Sequence, residues 1–527
     1  MKNKLLILLM LSSFFAQAQT IEVSGVQSGT WLADTVLVIG NVKVQDSLRI
    51  LAGTTVLFNN YYCIKVGNGA SLTALGEEND SILFTVADTT SFHVFNIGQG
   101  GWNGIHLEKA GPCRFDYCRF QYGKAALDND QDGGAFRIFD SDSVNICHSI
   151  LFRNLSREHG GAMNAENSKV TISNCKIYNN QTRTESASVY YMYGGGLRFL
   201  KCEVDIINTD FRYNIGLSTI GGALSLDSCA VKIDRCKFEY NFGINGGGLY
   251  LIRSNDWDCS ITNSLFANNT SGHFGGGLAI SDSSPLISNL TVVNNQSIGV
   301  NCGGIFFYQY SSPVLWNCII YGNTNDAPLE EPVQMWSWTY DGFAPEFHNC
   351  LVQFGLENIS NHEIILVYED CIDNDPMFID PDNEDYSIGS ESPCYEAGSP
   401  ATPTVILEGH DLHGNSRVLG NGIDIGAYEV DPTSLQETAR NTLPIYIVGN
   451  PITTSSYAEI ECESASILFA NVYSIDGKLL VDKNLGQSQI GLNRIGIGEM
   501  FQNLTNGTYL LVIQGTGKTF ATKVIKS

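Results

Sequence analysis

Positive charge is scarce in this chain. Its 527 residues hold 30 Lys and Arg against 55 Asp and Glu, which gives a formal net charge of −25. This excess of negative charge argues against nucleic acid and anionic membrane surfaces as partners. After the first eleven residues, no apolar run approaches the roughly 18 residues that a membrane-spanning helix needs. The sequence therefore predicts no transmembrane segment in the mature protein.

Glycine, in contrast, is abundant and recurs in doublets. The doublets begin at Gly133, Gly160, Gly194, Gly221, Gly246 and Gly275, and Cys302 opens a seventh copy of the motif. A second motif, an apolar residue followed by two others and then Asn, ends at Asn154, Asn180, Asn214, Asn241, Asn269, Asn295 and Asn323. Both motifs recur every 25 to 34 residues. Two motifs with one period indicate a single repeating unit, and hence a solenoid.

Each repeat is predicted to contain three short strands. Apolar residues two apart follow the glycines, as at Leu224 and Leu226, and a second alternating run follows, as at Val231 and Ile233. A third run precedes the Asn. Alternation is the period of a strand with one face inward. Three strands in a unit of about 27 residues are typical of one coil of a parallel β-helix.

Both motifs have a structural reason in such a fold. Adjacent coils lie about 4.8 Å apart, so a turn that needs positive φ or close backbone contact repeats only where side chains are absent. Asn amides stacked at this spacing hydrogen-bond along the axis as a ladder. We therefore expect the glycine and Asn columns to be structural.

The paired motifs resemble the repeats of the polymorphic outer-membrane protein family and, more broadly, right-handed parallel β-helix proteins. The similarity covers residues 110–355 and is closest in the segments that end at Asn214, Asn241 and Asn269, which read FRYN, FEYN and FANN. The resemblance implies a surface-exposed or secreted helix, often adhesive. It identifies no ligand.

The N-terminus has the order of a secretory signal peptide. Lys2 and Lys4 precede the apolar run 5–11 and the small-residue site Ala16-Gln17-Ala18. We predict a signal peptide over residues 1–18, cleaved after Ala18.

The C-terminus carries features of a second localisation signal. Short alternating strands separated by Asp-Gly and Asn-Gly turns predict a small β-sandwich over residues 444–527. The segment resembles the C-terminal sorting domain of the type IX secretion system, although Val448-Gly449 stands where the family usually has Tyr-Pro. The resemblance rests on Asp476-Gly477-Lys478, Asn506-Gly507-Thr508-Tyr509 and the terminal Lys518, Lys523 and Lys526. It implies type IX machinery as a partner, passage through the periplasm, and a secreted or outer-surface location.

These features divide the chain into six segments. They are the signal peptide 1–18, N-terminal β-helix coils 19–105, coils with both motifs 106–370, a closing segment 371–430 that resembles the end-cap of secreted bacterial β-helix proteins, a linker 431–443 and the sorting domain 444–527. The predicted fold class is all-β, a right-handed parallel β-helix (solenoid) followed by a small C-terminal β-sandwich.

Cysteines are spaced by one coil at Cys202, Cys229 and Cys259. Stacked Cα atoms at that spacing are within reach of a disulfide, so we predict one bridge, Cys202–Cys229 or Cys229–Cys259. Small apolar side chains that fill the interior are the alternative. No CxxC or Cys/His spacing suggests zinc.

The run 128–133, DNDQDG, matches the first half of a calcium loop. Asp128, Asp130 and Asp132 are the candidate ligands for Ca²⁺, the only cofactor that the sequence suggests. The bidentate Glu expected at the twelfth position is missing, and Phe139 stands there. A solvated acidic turn is the alternative.

Two loops interrupt the period, at 182–193 and 333–343, and both are rich in aromatic residues. Protruding loops concentrate function, and exposed Trp and Tyr offer flat faces to a sugar or a partner protein. Trp336, Trp338 and Tyr340 are the candidate ligand-binding residues. The alternative is that they pack back on the helix flank.

The sequence favours a secreted or cell-surface protein with a non-catalytic binding or adhesion role toward an extracellular glycan or a surface protein. It assigns no catalytic residue. The rival is a polysaccharide lyase or glycoside hydrolase that acts on acidic polysaccharide. Of the residue pattern that β-helix glycoside hydrolases would show, only Asn208-Thr209-Asp210 is present. Arg137 lies close to the acidic turn, so a lyase site remains an alternative. His159 and His273 are interpreted as turn residues.

Overall fold

A computed structural model describes residues 19–526 apart from short stretches. The stretches it leaves out are 95, 128–129, 184–191, 218, 300, 327–333, 341, 361–366, 400, 404–408, 432–441, 444–445, 449–450, 463–464, 466, 475–478, 490 and 516–517. The predicted cleavage site at Ala18, the candidate ligand Asp128 and the turn Asp476-Gly477-Lys478 lie outside the described residues. Two compact units are present, one within 19–377 and 387–430 and the other within 378–386 and 431–526.

The first unit is a parallel β-helix with three faces, here named A, B and C in the order in which each coil visits them. Seven of the A strands, from Phe136–Phe139 to Ile305–Gln309, follow the glycine doublets. The A strands are Ile64–Gly67, Ile105–Glu108, Phe136–Phe139, Met163–Glu166, Leu197–Leu200, Leu224–Asp227, Leu249–Ile252, Leu278–Ser281, Ile305–Gln309, Met335–Thr339 and Ile359–Ser360. The B strands are Ser71–Leu75, Cys113–Asp116, Val144–Cys147, Lys169–Ser173, Glu203–Ile207, Ala230–Asp234, Cys259–Thr262, Leu286–Ser288, Val314–Trp316, Glu346–His348 and Val367–Glu369. The C strands are Thr55–Phe58, Ile82–Val86, Cys118–Gln121, Ile150–Phe152, Lys176–Tyr178, Asp210–Arg212, Lys237–Glu239, Leu265–Ala267, Thr291–Val293, Ile319–Tyr321 and Leu351–Val352.

Two long strands, Thr20–Trp31 and Thr35–Leu51, open the helix and run across successive faces. The coils also contain a short fourth strand that the sequence analysis did not predict. These strands are Lys124–Ala125, Leu155–Ser156, Gln181–Thr182, Ile215–Gly216, Phe242–Asn245, Thr270–Phe274, Gln296–Ser297 and Thr324–Asn325, and Met192–Tyr193 pairs separately with Thr219–Ile220. Most of them are only two residues long, too short for alternation to be visible.

The core lies inside the coils, where inward residues stack in columns. Phe211, Phe238 and Phe266 occupy one position of successive C strands, with ring centroids 4.6 and 4.5 Å apart and nearly parallel planes. All three are fully buried. Each ring therefore packs against its own counterpart in the next coil, which explains why the same residue type recurs at the period of the repeat.

The Asn column forms the predicted ladder. Each Nδ2 donates to the Oδ1 of the next Asn, and the seven residues 154, 180, 214, 241, 269, 295 and 323 are linked by N···O distances of 2.9 to 3.0 Å. Each Oδ1 also accepts the backbone N–H of the preceding Asn, as from Asn214 N to Asn241 Oδ1 at 3.0 Å. The ladder ends on Gln334, whose Oε1 lies 2.9 Å from Asn323 Nδ2. The amides thus satisfy buried backbone groups at a turn that no water reaches.

The glycine doublets also have the predicted cause. The first glycine adopts positive φ, for example 80° at Gly221, and the second approaches the next coil so closely that a Cβ on Gly222 would lie 2.1 Å from the Gly247 carbonyl oxygen. No side chain fits at that distance. The doublet folds the chain back sharply just before each A strand.

The fifteen cysteines are thiols in the structure. Cys202 and Cys229 stack in the turn before the B strands, where the Cys202 amide donates to Cys229 Sγ at 3.4 Å. Ser254 continues this column, because its Oγ accepts the Cys229 amide at 3.1 Å. Cys259 instead lies opposite Val231 within the B strands. Of the three cysteines considered for a bridge, Cys202 and Cys229 are therefore in register and Cys259 is not, and a Cys202–Cys229 bridge stays a prediction.

The closing segment packs along the turn between the B and C strands. The Gly426 amide donates to the Asn317 carbonyl at 2.8 Å, and Asn289 Nδ2 donates to the Asp424 carbonyl at 3.0 Å. Inside the segment, the fully buried Arg417 lies 3.1 Å from Glu429. This ion pair lies within the closing segment, and the hydrogen bonds to Asn289 and Asn317 attach the segment to the flank of the coils.

The second unit is a small sandwich of two sheets. One contains Thr442–Leu443, Lys518–Lys526, Gly507–Gly515, Ile467–Ser474 and Leu479–Gln487, and the other contains Tyr446–Val448, Tyr457–Cys462 and Gly491–Gly496. Leu468, Val472, Ile460 and Leu511 are among the buried residues of its separate core. Lys526 Nζ donates to the carbonyls of Phe501, Gln502 and Leu504 at 2.5 to 3.0 Å. This terminal lysine therefore fastens the 3₁₀ helix Gly498–Phe501 to the last strand.

Two further 3₁₀ helices, Leu356–Asn358 and Pro381–Asn383, and the strand pair Phe378–Asp380 with Asp385–Ile388 complete the described elements. Among the described residues, no helix has the length and apolar character needed to span a bilayer.

Replacing a ladder amide should cost far more stability than its size suggests. Asn241→Ala would remove the partner of the buried Asn214 backbone N–H, one of the two acceptors of Asn214 Nδ2, and the side-chain donor to the Phe211 carbonyl. We expect a loss of about 3 kcal/mol, because each buried unsatisfied group costs about 1–3 kcal/mol. Denaturant unfolding of the variant checks this. The matched control is Asn145→Ala on a half-buried B-strand position, expected within about 0.5 kcal/mol of wild type. Equal effects of the two changes would contradict the ladder's role.

Candidate functional site

The sharp glycine turn brings the residue before each doublet against the outward side of the A strands. This is visible where Tyr193 lies under the Arg198 guanidinium at 5.9 Å and where Phe274 stacks on Phe306 at 4.4 Å. Two columns of side chains therefore face each other and form what we call the A-face trough. Its first wall is Asp132, His159, Tyr193, Ile220, Asn245 and Phe274, and its second is Lys65, His106, Arg137, Asn164, Arg198, Ser225, Tyr250, Ala279, Phe306 and Trp336.

The trough changes character along its length. From Lys65 to Arg198 it is lined by ionisable and amide side chains, and from Tyr250 to Trp336 by mainly apolar and aromatic ones. We call these the charged section and the aromatic section. Nine rung spacings of about 4.8 Å make the whole trough about 43 Å long. Most of the second wall is buried, namely His106, Asn164, Arg198, Ser225, Tyr250, Ala279 and Phe306, so the first wall supplies most of the partly exposed side chains.

Asp130 belongs to the charged section, where it faces cations. Its Oδ1 lies 3.5 Å from Arg137 Nη1, and its Oδ2 lies 3.9 Å from the Nε2 of the buried His106. Burial lowers the pKa of His106, whereas the charge of Asp130 raises it. Of these two neighbours, Arg137 is the one that carries a positive charge beside Asp130.

Asp132 has a different set of neighbours, Glu158 and His159. One ligand-type atom from each of the three side chains lies within 4.8 Å of the other two. Asp132 and His159 are bridged on successive coils, and His159 is bridged to Tyr193 on the next. Within the described part of the chain, Asp132 Oδ1 is enclosed and has no hydrogen-bond partner. Sequence analysis missed Glu158 and interpreted His159 as a turn residue.

The hydrogen bond of His159 decides its tautomer. Its Nδ1 accepts the Tyr193 backbone N–H at 3.2 Å, so the proton of the neutral ring resides on Nε2. Burial, followed by the charge of Arg198, lowers the pKa of His159 to about 4. A neutral imidazole that already uses its lone pair is a hydrogen-bond donor rather than a metal ligand.

Asp132 has both acidic and basic neighbours. Burial first, and then the charge of Glu158, raise the pKa of Asp132 to about 6, against the lowering effect of Arg198 and Arg137. Arg198 is itself held at the trough floor, because its Nη1 donates to Asn164 Oδ1 at 2.9 Å and to Glu166 Oε1 at 2.5 Å. The section thus combines a carboxyl that retains its proton near pH 6 with a rigid cation.

For the calcium prediction, the two described candidates diverge. Asp130 pairs with Arg137 and His106, whereas Asp132 lies with Glu158 and His159. Calcium binding by Asp128, Asp130 and Asp132 stays a prediction.

The aromatic section contains the three predicted ligand-binding residues. Trp338 is 51% exposed and Tyr340 46% exposed, while Trp336 packs against the buried cluster of Tyr250 and Phe306. Trp336 therefore packs back on the flank of the helix, which was the alternative to a ligand-binding role.

Two tyrosines extend this surface. Tyr308 lies 5.9 Å from Trp338 and Tyr310 lies 5.0 Å from Tyr340 between ring centroids. Sequence analysis missed both, since they lie in and just after a regular A strand, although the alternation Phe306, Tyr308, Tyr310 was visible there. Together Tyr308, Tyr310, Trp338 and Tyr340 form what we call the aromatic platform.

A depression of about 650 Å³ opens beside the charged end. Lys43, Lys65 and Lys109 line it together with Glu108 and Phe139. Among the described residues, no carboxylate lies within 4.0 Å of these three ammonium groups. Local positive charge thus persists on a strongly acidic chain.

The comparisons with known proteins agree with this fold. A family model described as a right-handed beta helix region matches residues 221–372, which hold the aromatic section. That family includes polysaccharide-degrading enzymes as well as non-catalytic proteins. No curated protein matches the chain. The first unit is a right-handed parallel β-helix.

Asp132 should make stability depend on pH. Its folded pKa of about 6 exceeds the ordinary 3.8, so its contribution is most favourable below pH 4 and is lost as pH rises through 6. Asp132→Asn replaces the carboxyl by an amide that does not ionise, so the variant does not lose this stability as pH rises. We expect the variant to gain on the order of 1 kcal/mol over wild type between pH 4 and pH 8.

Denaturant unfolding at both pH values measures this gain. The control is Asp142→Asn at an exposed position, where the difference from wild type should not change with pH. A pH-independent effect of Asp132→Asn would show that burial of this carboxyl has been misjudged.

Proposed function

We propose that this protein is an extracellular polysaccharide-binding β-helix, and that its ligand lies along the A-face trough. The aromatic platform carries the proposal, because four partly exposed rings are grouped on one face and three of them are at least 46% exposed. Sugar rings present apolar C–H faces that pack on such surfaces. Polar side chains beside the aromatic rings would hydrogen-bond the sugar hydroxyls and so orient the ligand.

A chain-like glycan fits this surface better than a globular protein. The trough repeats at the spacing of the coils, so similar environments recur along a straight line of about 43 Å. A protein partner would be expected to bury a broad apolar patch with a polar rim. The narrow line of rings followed by charged groups suits a polymer.

The export route is part of the same proposal. The signal-peptide pattern and the similarity of the terminal sandwich to sorting domains support passage through the periplasm, followed by type IX secretion to the cell surface or the medium. A protein at that location meets polysaccharides of the environment.

Trp338→Ala should weaken glycan binding by about tenfold or more, since removal of one stacking ring costs about 1–3 kcal/mol. Binding of the full-length protein to an array of soluble polysaccharides, followed by titration of the best ligand, measures the change. Tyr213→Ala is the matched control, because Tyr213 is 45% exposed but follows the C strand Asp210–Arg212 and not an A strand. Equal affinities of both variants and wild type would refute binding at the platform.

Deletion of residues 444–527 should retain the protein in the periplasm of a bacterium that has type IX secretion. The remaining β-helix has its own core and should stay folded. Cell fractionation with an antibody to the helix distinguishes the locations. Undiminished appearance of the truncated chain at the surface or in the medium would rule out this route.

A further inference from the structure

We propose that Cys350 and Cys371 form a disulfide that closes the last coil of the β-helix. The proposal is separate from ligand binding, and it rests on the proposed function only for an oxidising environment after export. The pair Cys202 and Cys229, considered above, lies in a different turn, before the B strands. Cys350 and Cys371 belong to a column at the turn between the B and C strands.

In the earlier coils this column alternates between thiol and hydroxyl. The Cys118 amide donates to Ser149 Oγ at 3.0 Å, and the Ser149 amide donates to Cys175 Sγ at 3.4 Å. The Cys175 amide donates in turn to Thr209 Oγ1 at 3.4 Å. The structural task at this position is to accept the backbone N–H of the preceding coil, and either group performs it. In these coils a hydroxyl separates each thiol from the next.

The last coils depart from this alternation. The Cys318 amide donates to Cys350 Sγ at 3.4 Å, and the Cys350 amide donates to Cys371 Sγ at 3.4 Å. The thiol of Cys350 also has side-chain hydrogen bonds with both neighbouring thiols. Three thiols therefore lie next to one another on successive coils. Acceptance of a backbone amide does not require this arrangement, since serine or threonine performs that task elsewhere.

The backbone on both sides of the pair is in register. The Asn349 amide donates to the Glu369 carbonyl at 3.0 Å, and the Ile372 amide donates to the Cys350 carbonyl at 2.9 Å. Successive coils lie about 4.8 Å apart, which is within the roughly 4.4–6.8 Å between Cα atoms that a disulfide spans. A bridge between Cys350 and Cys371 therefore needs no change of register.

Exposure selects Cys371 rather than Cys318 as the partner of Cys350. Cys318 and Cys350 are fully buried, whereas Cys371 is partly exposed, so an oxidant can reach it. Burial raises the pKa of the Cys350 thiol well above its usual range. The pKa of Cys371 is raised too, first by its hydrogen bond with Cys350 and then by burial. Oxidation is therefore slow in the closed coil and is favoured while the last coil docks.

The oxidant is a disulfide, either a small one such as oxidised glutathione or that of an oxidising dithiol protein. The Cys371 thiolate attacks one sulfur of this disulfide and releases the first thiol. The Cys350 sulfur then attacks the Cys371 sulfur of the mixed disulfide and releases the second thiol. Two electrons pass to the oxidant, which leaves as two thiols with the protons of Cys350 and Cys371.

The pair lies where the stack of coils ends. Val367–Glu369 pairs with Glu346–His348, and within the described part of the chain no further strand pairs with its other edge. A strand that is held from one side opens more easily than a strand inside the stack. A bridge that closes the segment between Cys350 and Cys371 restricts this opening.

Peptide mapping of the full-length protein tests the bridge. The protein is reduced, incubated with oxidised glutathione at mildly alkaline pH, and treated with an alkylating agent that blocks free thiols. A glutamyl endopeptidase then cuts between the two cysteines, for example after Glu357. Mass spectrometry should show the peptides of Cys350 and Cys371 joined until a reductant is added. Because the oxidant is supplied, the result is independent of export and of ligand binding.

Three results of the mapping would overturn the proposal. The first is recovery of Cys350 and Cys371 as blocked free thiols. The second is a bridge between Cys318 and Cys350. The third is a glutathione that stays on Cys371 without exchange.

Hydrogen exchange measures whether the bridge closes the last coil. Oxidation should slow the exchange of amides in 346–352 and 367–372 by about 30-fold or more, the lower end of what a disulfide contributes. Amides in 150–156, in a distant coil, should exchange at an unchanged rate. Equal exchange in 346–352 before and after oxidation would overturn the closing role even if the bridge forms.

Two serine variants separate the bridge from the packing of the thiols. Cys371→Ser retains a side-chain acceptor for the Cys350 amide, so it should fold, yet oxidation should no longer slow exchange in 346–352. Cys236→Ser is the matched control, because Cys236 is a buried thiol of the same column whose amide donates to Ser264 Oγ. It should show the full slowing. Slowing that persists in Cys371→Ser would assign the effect to another pair and overturn the proposal.

Discussion

In-register hydrogen bonding between successive coils is the constraint on which this molecule depends. Every backbone group of a strand pairs with the coil above and below, so each position in the repeat must tolerate its own copy about 4.8 Å away. The Asn ladder meets that condition at a buried turn, where Asn241 Oδ1 accepts both the backbone and the side-chain N–H of Asn214. Stacked Phe211 and Phe238 meet it in the core, and Cys202 with Cys229 in a second turn.

The same constraint creates the functional surface. Close stacking requires glycine where the chain folds back before the A strands of the repeats, and the fold-back places the preceding side chain over the strand's outward face. That side chain, unlike the glycines, is free to vary. The column accordingly runs from Asp132 and His159 to Phe274, and with it the trough changes from charged to aromatic. The doublet keeps glycine from coil to coil, whereas the residue directly before it differs between coils.

The two sections of the trough suit different tasks on one ligand. The aromatic platform offers area and little charge, which favours binding of sugar rings. The charged section offers partly buried ionisable groups, where burial and neighbouring charges move proton affinities toward neutral pH. Its lysine-lined depression keeps positive charge available despite the overall excess of acid.

The sequence by itself determined the period, the three main strands of each coil, the structural roles of Gly222 and Asn241, the all-β class and the separate terminal sandwich, because these depend on local alternation and on copies at a fixed interval. It also indicated Trp338 and Tyr340 as exposed rings. Only the tertiary structure decided which side chains of different coils meet. The interval varies between 25 and 34 residues, so spacing alone did not reveal that Glu158 reaches Asp132, or that Cys259 lies opposite Val231 rather than Cys229. Contacts across coils depend on register and side-chain direction, which a period does not contain.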